Sequence, residues 1–231
     1  MPELAVLRVF AAPDGSHGNP LGVFLDGADV PTDERQAVAA ELGFSETVFV
    51  EDRERGEIRI FTPESELPLA GHPLVGTAWL LGHGGNPVEA LRPPAGEVRV
   101  RSEGELTWVA GRAEWAPPFE LVELSEPGEI DALEGPPDGY GMVLMWAWAD
   151  RDAGLVRQRV FVPEVGVPED EATGSASMLL VEQLGREIQI RQGRGSVIHA
   201  RPLGEGVVEI GGRSVLEWSG EWAPGDGPPA I

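Results

Sequence analysis

Three side chains in this 231-residue chain stand out by type and setting as groups that could move a proton: Glu46, His72 and Asp170. The run Phe44-Ser45-Glu46-Thr47-Val48-Phe49-Val50 alternates with period two, so in a strand Glu46 shares a face with Phe44, Val48 and Val50. A carboxylate on an apolar face is costly unless it is paired or its pKa is raised. A raised pKa suits a general acid or base working near neutrality. The same pattern also fits a glutamate at a strand edge reaching water. His72 follows Gly71 where a helix opens, and it could serve a ligand or simply cap the helix. Asp170 precedes Thr173-Gly174-Ser175; read alone it is an ordinary loop acid near a helix start. Both helix openings are built from small residues, Gly71-His72-Pro73 in one and Thr173-Gly174-Ser175 in the other. The first N–H groups of a helix lack intrahelical partners and carry partial positive charge, and glycine admits a ligand close to the backbone. Two such openings facing one cleft would suit a carboxylate, or an enolate forming beside one. The plainer alternative is that Gly71 and Gly174 only permit tight turns.

Other chemistries lose support. There is no Cys, which removes disulfides, thiolate catalysis and Cys-based zinc or iron–sulfur sites. His17, His83 and His199 show no metal-ligand spacing, so no metal is expected. No G-x-S-x-G, Walker A or Rossmann fingerprint occurs. The basic residues are all Arg, and the net charge is −22, the wrong sign for gripping a phosphate backbone. No apolar run approaches the ~18 residues of a membrane span, and Met1–Phe10 has no basic leader ahead of its apolar residues. The expectation is a cytoplasmic protein with neither a nucleic-acid nor a membrane partner.

The elements that must position these groups are short. Leu4–Phe10 and Leu21–Leu25 read as strands bounded by Pro, Gly and Asp. Asp33–Leu42 reads as an amphipathic helix capped by Thr32 and ended by Gly43. Phe44–Val50 and Glu57–Phe61 form a strand pair, and Leu74–Leu81 is a helix opening at the Gly71-His72-Pro73 turn and closed by Gly82. Glu97–Arg101 and Glu105–Val109 make a hairpin, and Ser125–Gly139 reads as a linker or long loop. Further on, Gly141–Trp148 and Leu155–Val162 are strands, and Thr173–Leu184 is a helix with Gly185 just past its end. Four short strands follow: Glu187–Arg191, Ser196–Arg201, Gly206–Ile210 and Ser214–Trp218.

One internal match links the two regions. Phe61-Thr62-Pro63-Glu64 recurs as Phe161-Val162-Pro163-Glu164, each followed by a second proline, Pro68 or Pro168. Each copy then enters a small-residue turn and a helix, with Gly76-Thr77-Ala78 in one and Gly174-Ser175-Ala176 in the other. Two copies make two related halves, not a solenoid.

In chain order, Gly18-Asn19-Pro20, Ser45-Glu46-Thr47, Phe61-Thr62-Pro63, Gly71-His72-Pro73, Gly76-Thr77-Ala78, Glu169-Asp170, Thr173-Gly174-Ser175-Ala176 and Gln192-Gly193 resemble the PhzF-like family of phenazine-biosynthesis-type isomerases. The resemblance runs from about Leu4 to Val215. It implies the diaminopimelate epimerase-like fold, which is α+β with two pseudo-symmetric domains. Each is a curved, mainly antiparallel sheet around a central helix, with the site in the cleft between them. On that frame, 1–108 is an N-terminal domain completed by a strand near 214–219, 109–213 is a C-terminal domain, and 220–231 is a flexible tail. The resemblance implies a cofactor-independent isomerase that moves a proton on a small carboxylate-bearing substrate, commonly as a homodimer. Glu46 would take and return the proton, and His72 and Asp170 would position or polarise the substrate. Gly71, Gly174, Ser175 and Asn19 would bind it. A racemase or epimerase of an amino-acid-like substrate, and a non-catalytic ligand-binding dimer with the same cleft, are the alternatives. The chain departs from the family pattern at Glu171, where Pro is frequent, at Ser177, where His is common, and at Arg194-Gly195-Ser196, where Arg-Pro-Ser is usual.

Overall fold

The computed structural model describes residues 2–163 and 167–230. The first half runs β1 (Glu3–Ala11), β2 (Asn19–Phe24), α1 (Arg35–Leu42), β3 (Glu46–Asp52), β4 (Glu57–Phe61) and β5 (Glu66–Leu67) into α2 (Gly71–His83). It ends with β6 (Ala90–Leu91), β7 (Val98–Glu103) and β8 (Leu106–Arg112). The second half runs β9 (Glu120–Glu123), α3 (Pro127–Asp131), β10 (Val143–Asp150), β11 (Leu155–Val162) and β12 (Val167–Asp170) into α4 (Gly174–Leu184). It ends with β13 (Ile188–Gln192), β14 (Ser196–Gly204) and β15 (Val207–Glu221).

The two series pair alike. β2 runs parallel to β3 as β9 does to β10, and β3 is antiparallel to β4 as β10 is to β11. β4 pairs with β5 as β11 pairs with β12. After its helix each series returns through antiparallel hairpins, β6–β7–β8 in one and β13–β14–β15 in the other. Even the parallel return contact is repeated: Glu57 bridges Arg92 in the first half, and β11 lies beside β13 in the second. The molecule is therefore α+β, two similar halves whose sheets wrap one helix each. The Phe61 and Phe161 motifs fall at the equivalent ends of β4 and β11; Glu164, the last residue of the second copy, lies outside the described residues.

Burial explains why the helices sit inside. Ten of the thirteen residues of α2 are buried, so it has no solvent face and reads as a core helix. Leu74, Val75 and Leu81 of α2 share one continuous apolar cluster with Ala176, Met178 and Val181 of α4. A second cluster, on the other face of β3, packs Phe49 and Phe24 against Val38 and Leu42 of α1.

The structure revises several expectations. The cap of α1 is Glu34, not Thr32, because the chain makes a turn at Pro31–Glu34 before the helix starts; Gly43 ends the helix in the left-handed region as expected. Gly71-His72-Pro73 is the first turn of α2 rather than a turn before it, and Gly82 lies within the helix, which ends at Gly84. Phe44 does not share the face of Glu46: it precedes β3 and packs into the second cluster with Leu42. Within 125–139 lies α3, its start closed by reciprocal hydrogen bonds between Glu126 and Glu129. The last two expected strands are one strand, β15. Its Val207–Gly212 part pairs with β8, and its Arg213–Glu221 part pairs with β1. Gly211 and Gly212 do not break it; they make room for the rings of Trp108 and Phe10, which a Cβ would meet at 2.4 Å in each case. Beyond β15, Trp222 is buried edge-on to Phe24, and its indole donates to the Gly227 carbonyl at 2.9 Å.

Candidate active site

Glu46 opens β3 beside Leu21 of β2, with Val48 and Val50 of the same face packed into the main core. It lines a cavity of about 120 Å³ to which both halves contribute. The side chain is 15% exposed, and its Oε2 has no hydrogen-bond partner. Oε2 stands 3.3 Å from Nε2 of His72, which is also unpartnered. Burial holds the Glu46 carboxyl well above the ordinary carboxylate range, and the nearby charge of Asp170 adds to it. Burial likewise pushes His72 down to about 3, against the upward pull of a hydrogen bond to the Pro20 carbonyl. The imidazole is therefore neutral at physiological pH. A protonated Glu46 can donate to the Nε2 lone pair, whereas an ionised one faces it without a donor.

Asp170 ends β12 and lines the same cavity. It is supplied with donors on both oxygens: Asn19 Nδ2 donates to Oδ1 at 2.7 Å, and Thr173 Oγ1 donates to Oδ2 at 2.6 Å. Burial raises its pKa, and these two hydrogen bonds pull it back. Asn19 also donates to the Ala172 carbonyl at 3.2 Å and accepts from Ser45 Oγ at 3.1 Å. It thus ties the residue before Glu46 to the loop that carries Asp170.

The two helix openings meet. A Cβ on Gly71 would lie 2.7 Å from the Gly174 Cα, and one on Gly174 would lie 2.9 Å from the Gly71 Cα. Glycine is required at both positions because the backbones touch. Neither opening carries a side-chain cap: Ala70 has no oxygen to offer, and Thr173 turns its hydroxyl to Asp170. Ala70, Thr173 and Ser175 line the cavity, while Gly71, His72, Gly174 and Asn19 form the buried layer behind its wall. Leu67, Leu69, Phe119, Met142 and Val162 make most of the remaining lining apolar, and Thr62, Glu64 and Ser65 add polar groups to it. Among the described residues no group of three His, Asp or Glu is placed to hold a metal ion.

The chain matches the family described as phenazine biosynthesis-like protein (PhzC-PhzF) over residues 7–136. It is 36% identical over 219 residues to the trans-2,3-dihydro-3-hydroxyanthranilate isomerase of Pseudomonas fluorescens, covering 77% of this chain and 78% of that one. The isomerase of the same name from Pseudomonas chlororaphis is 33% identical, covering 86% and 91%. This protein belongs to the phenazine biosynthesis-like family. It is, like these relatives, an isomerase. A solved phenazine biosynthesis PhzC/PhzF protein from Clostridium difficile has the same fold, with a TM-score of 0.79 at 24% identity over 96% of this chain and all of that one.

The departures from the pattern of this PhzF-like family surround Asp170. Glu171 accepts from the Arg194 N–H at 3.0 Å and from Ser196 Oγ at 2.9 Å, and Ser196 Oγ accepts from the Gly18 N–H at 3.0 Å. Gly195 lies against the ring of His17, where a Cβ would come within 2.6 Å. Ser177 Oγ donates to the Thr173 carbonyl at 2.9 Å and accepts from Gln158 at 3.0 Å. Sequence reasoning singled out Glu46, His72, Asp170 and Ser175, all of which come together here. It missed Ser45 and Thr173 as cavity residues. Thr173 was legible as part of a helix opening, but nothing local linked its hydroxyl to Asp170.

Proposed function

We propose that this isomerase moves a proton between two carbons of a small carboxylate-bearing substrate, with Glu46 as the single group that takes and returns it. The observation that carries the reading is the setting of Glu46: a buried carboxylate on a cavity wall with an unpartnered oxygen, next to a neutral histidine. As a carboxylate it removes a proton from the substrate carbon and becomes a carboxylic acid. The electron pair spreads through the conjugated system onto the substrate's own carboxylate. The same acid then delivers the proton to a second carbon, and Glu46 is regenerated. A raised pKa makes the carboxylate a stronger base and lets it hold the proton until it is returned. His72 accepts a hydrogen bond from the protonated form and keeps the carboxyl aimed. The uncapped N–H groups at the start of α4, with Ser175, hold the substrate carboxylate, where each donor to a developing oxyanion contributes about 3 kcal/mol. Asp170 takes a cationic or hydroxyl group on the far side. Fixed by two donors, it is a poorer base than Glu46, which favours one-carboxylate proton transfer over a two-base racemase.

The test is deuterium incorporation, read by NMR, when the protein is incubated in deuterium oxide with trans-2,3-dihydro-3-hydroxyanthranilate and a panel of unsaturated and amino carboxylates. Glu46→Gln is expected to slow exchange by about 10²–10⁴-fold. Undiminished exchange in that variant removes Glu46 from the mechanism. Bound compound without exchange in the unaltered protein would favour a binding role.

A further inference from the structure

The segment from Asp170 to Thr173 carries one acid of the cavity and the start of α4, and a single buried amide grips it at three points. Gln192, the last residue of β13, has no solvent exposure. Its Oε1 accepts from the Thr173 N–H at 2.9 Å and from Gln158 Nε2 at 2.7 Å. Its Nε2 donates to the Asp170 carbonyl at 2.8 Å and to Thr173 Oγ1 at 2.9 Å. A primary amide has two N–H donors and an oxygen with two lone pairs, so its capacity is fully used. The partners also fix which way the amide points, because a backbone N–H can only donate and a carbonyl can only accept. Thr173 Oγ1 gives its one proton to Asp170 Oδ2 at 2.6 Å. The hydrogen bonds therefore run in one direction, from Gln192 through Thr173 to the Asp170 carboxylate.

The geometry points to Gln192 as a positioning residue that acts through Thr173, orienting its hydroxyl and so holding Asp170 at a fixed angle opposite Glu46. Gln192 does not line the cavity, so it does not touch the substrate. The inference rests on the isomerase reading above for its effect on turnover, but its effect on the two acids stands apart from any substrate. A purely structural role would be to satisfy buried backbone groups. That role would lower stability and leave the chemistry of the folded molecule alone.

Gln192→Met keeps the length of the side chain and removes its hydrogen bonds. Gln192→Glu keeps the acceptor and, once protonated, regains one donor. Turnover is followed by the deuterium assay, on whichever compound the unaltered protein exchanges. Gln192→Met is expected to lower kcat by about 10–100-fold with KM changed less than about threefold. Relative to the unaltered protein at the same pH, Gln192→Glu is expected to recover activity as the pH falls and its new carboxyl takes up a proton, a trend absent from Gln192→Met. The second readout needs no substrate: carbon-13 NMR titration of the Glu46 carboxyl. With Asp170 released from its fixed angle, Glu46 should titrate about 0.5–1 pH unit lower in Gln192→Met. Val208→Ala, a change in the apolar core that removes none of these hydrogen bonds, serves as the control for lost stability alone and should move neither kcat nor this titration.

Wild-type kcat together with an unmoved Glu46 titration in Gln192→Met would overturn the proposal. So would an equal kcat loss in Val208→Ala. Should Gln192→Met fail to fold, the pH recovery of Gln192→Glu decides the matter. If the unaltered protein exchanges none of the compounds, the isomerase mechanism fails, and the Glu46 titration alone judges Gln192.

Discussion

Glu46 and Asp170 confront one cavity from opposite halves, and their surroundings differ in kind. Asp170 receives a donor on each oxygen, from Asn19 and Thr173, and its segment is held by Gln192 behind. Glu46 has an oxygen with no donor at all, beside a histidine nitrogen that also lacks a partner. Both are desolvated, and burial raises both pKa values. Only at Asp170 do hydrogen bonds counter that rise. A buried polar atom left unsatisfied costs about 1–3 kcal/mol, a cost that the proposed mechanism explains by the use of Glu46 as the proton carrier. The comparison separates two settings for a carboxylate: one is immobilised by its neighbours, and the other lacks them, which on the proposed mechanism leaves it able to exchange a proton.

Three experiments would break or sharpen that contrast. Asp170→Asn has the largest expected effect, a loss of about 10²-fold in deuterium exchange, within the range of a lost charge-stabilising group. One amide end would then present N–H groups to a donor. Because the charge of Asp170 helps to raise Glu46, the limb of the pH–rate profile set by Glu46 should also move to lower pH; an unmoved limb would show that the two acids do not communicate. Next, Gly71→Ala would push a methyl group into the Gly174 backbone and Ile210 at 2.7–2.8 Å. A cost of about 1–3 kcal/mol in urea unfolding is expected. If alanine is tolerated without loss, the helix openings meet less tightly than these distances require. The smallest effect is on stability against pH. A carboxyl raised in the folded state binds its proton more tightly there than in the unfolded chain. Its contribution is therefore complete below the ordinary value of 4.5 and is lost as the pH rises through the folded value. Glu46→Gln removes that loss. Its Tm should match the parent near pH 4 and exceed it by about 2–4 °C at pH 8, the shift that ~1 kcal/mol brings at this chain length. The sign for His72 is opposite: its folded value of about 3 means stability is lost as the pH falls below 6.5.

Much of this contrast was legible in the sequence, and what was not has physical reasons. Period-two alternation put Glu46 on the apolar face of a strand, and the ordered short motifs pointed to the family and the two-half fold. Alternation alone could not say where the strand begins, so Phe44 was placed one face wrong. Gly71 and Gly174 were recognisable as permissive residues. That each is needed because of the other is a tertiary contact that no local pattern encodes. β15 looked like two strands because Gly211-Gly212 resembles a turn, while their service to the rings of Trp108 and Phe10 lies far off in sequence. Gln192 was visible only as half of the Gln192-Gly193 motif, and its contacts were silent for the same reason: one amide in a five-residue strand has no periodicity, and its partners lie 19 to 34 positions away.

The fifteen-residue strand Val207–Glu221 belongs to both sheets at once, pairing with β8 and β14 at one end and β1 at the other. The two halves therefore share one continuous stretch of backbone, and prising them apart would mean stripping β15 from β1 or from β8 and β14.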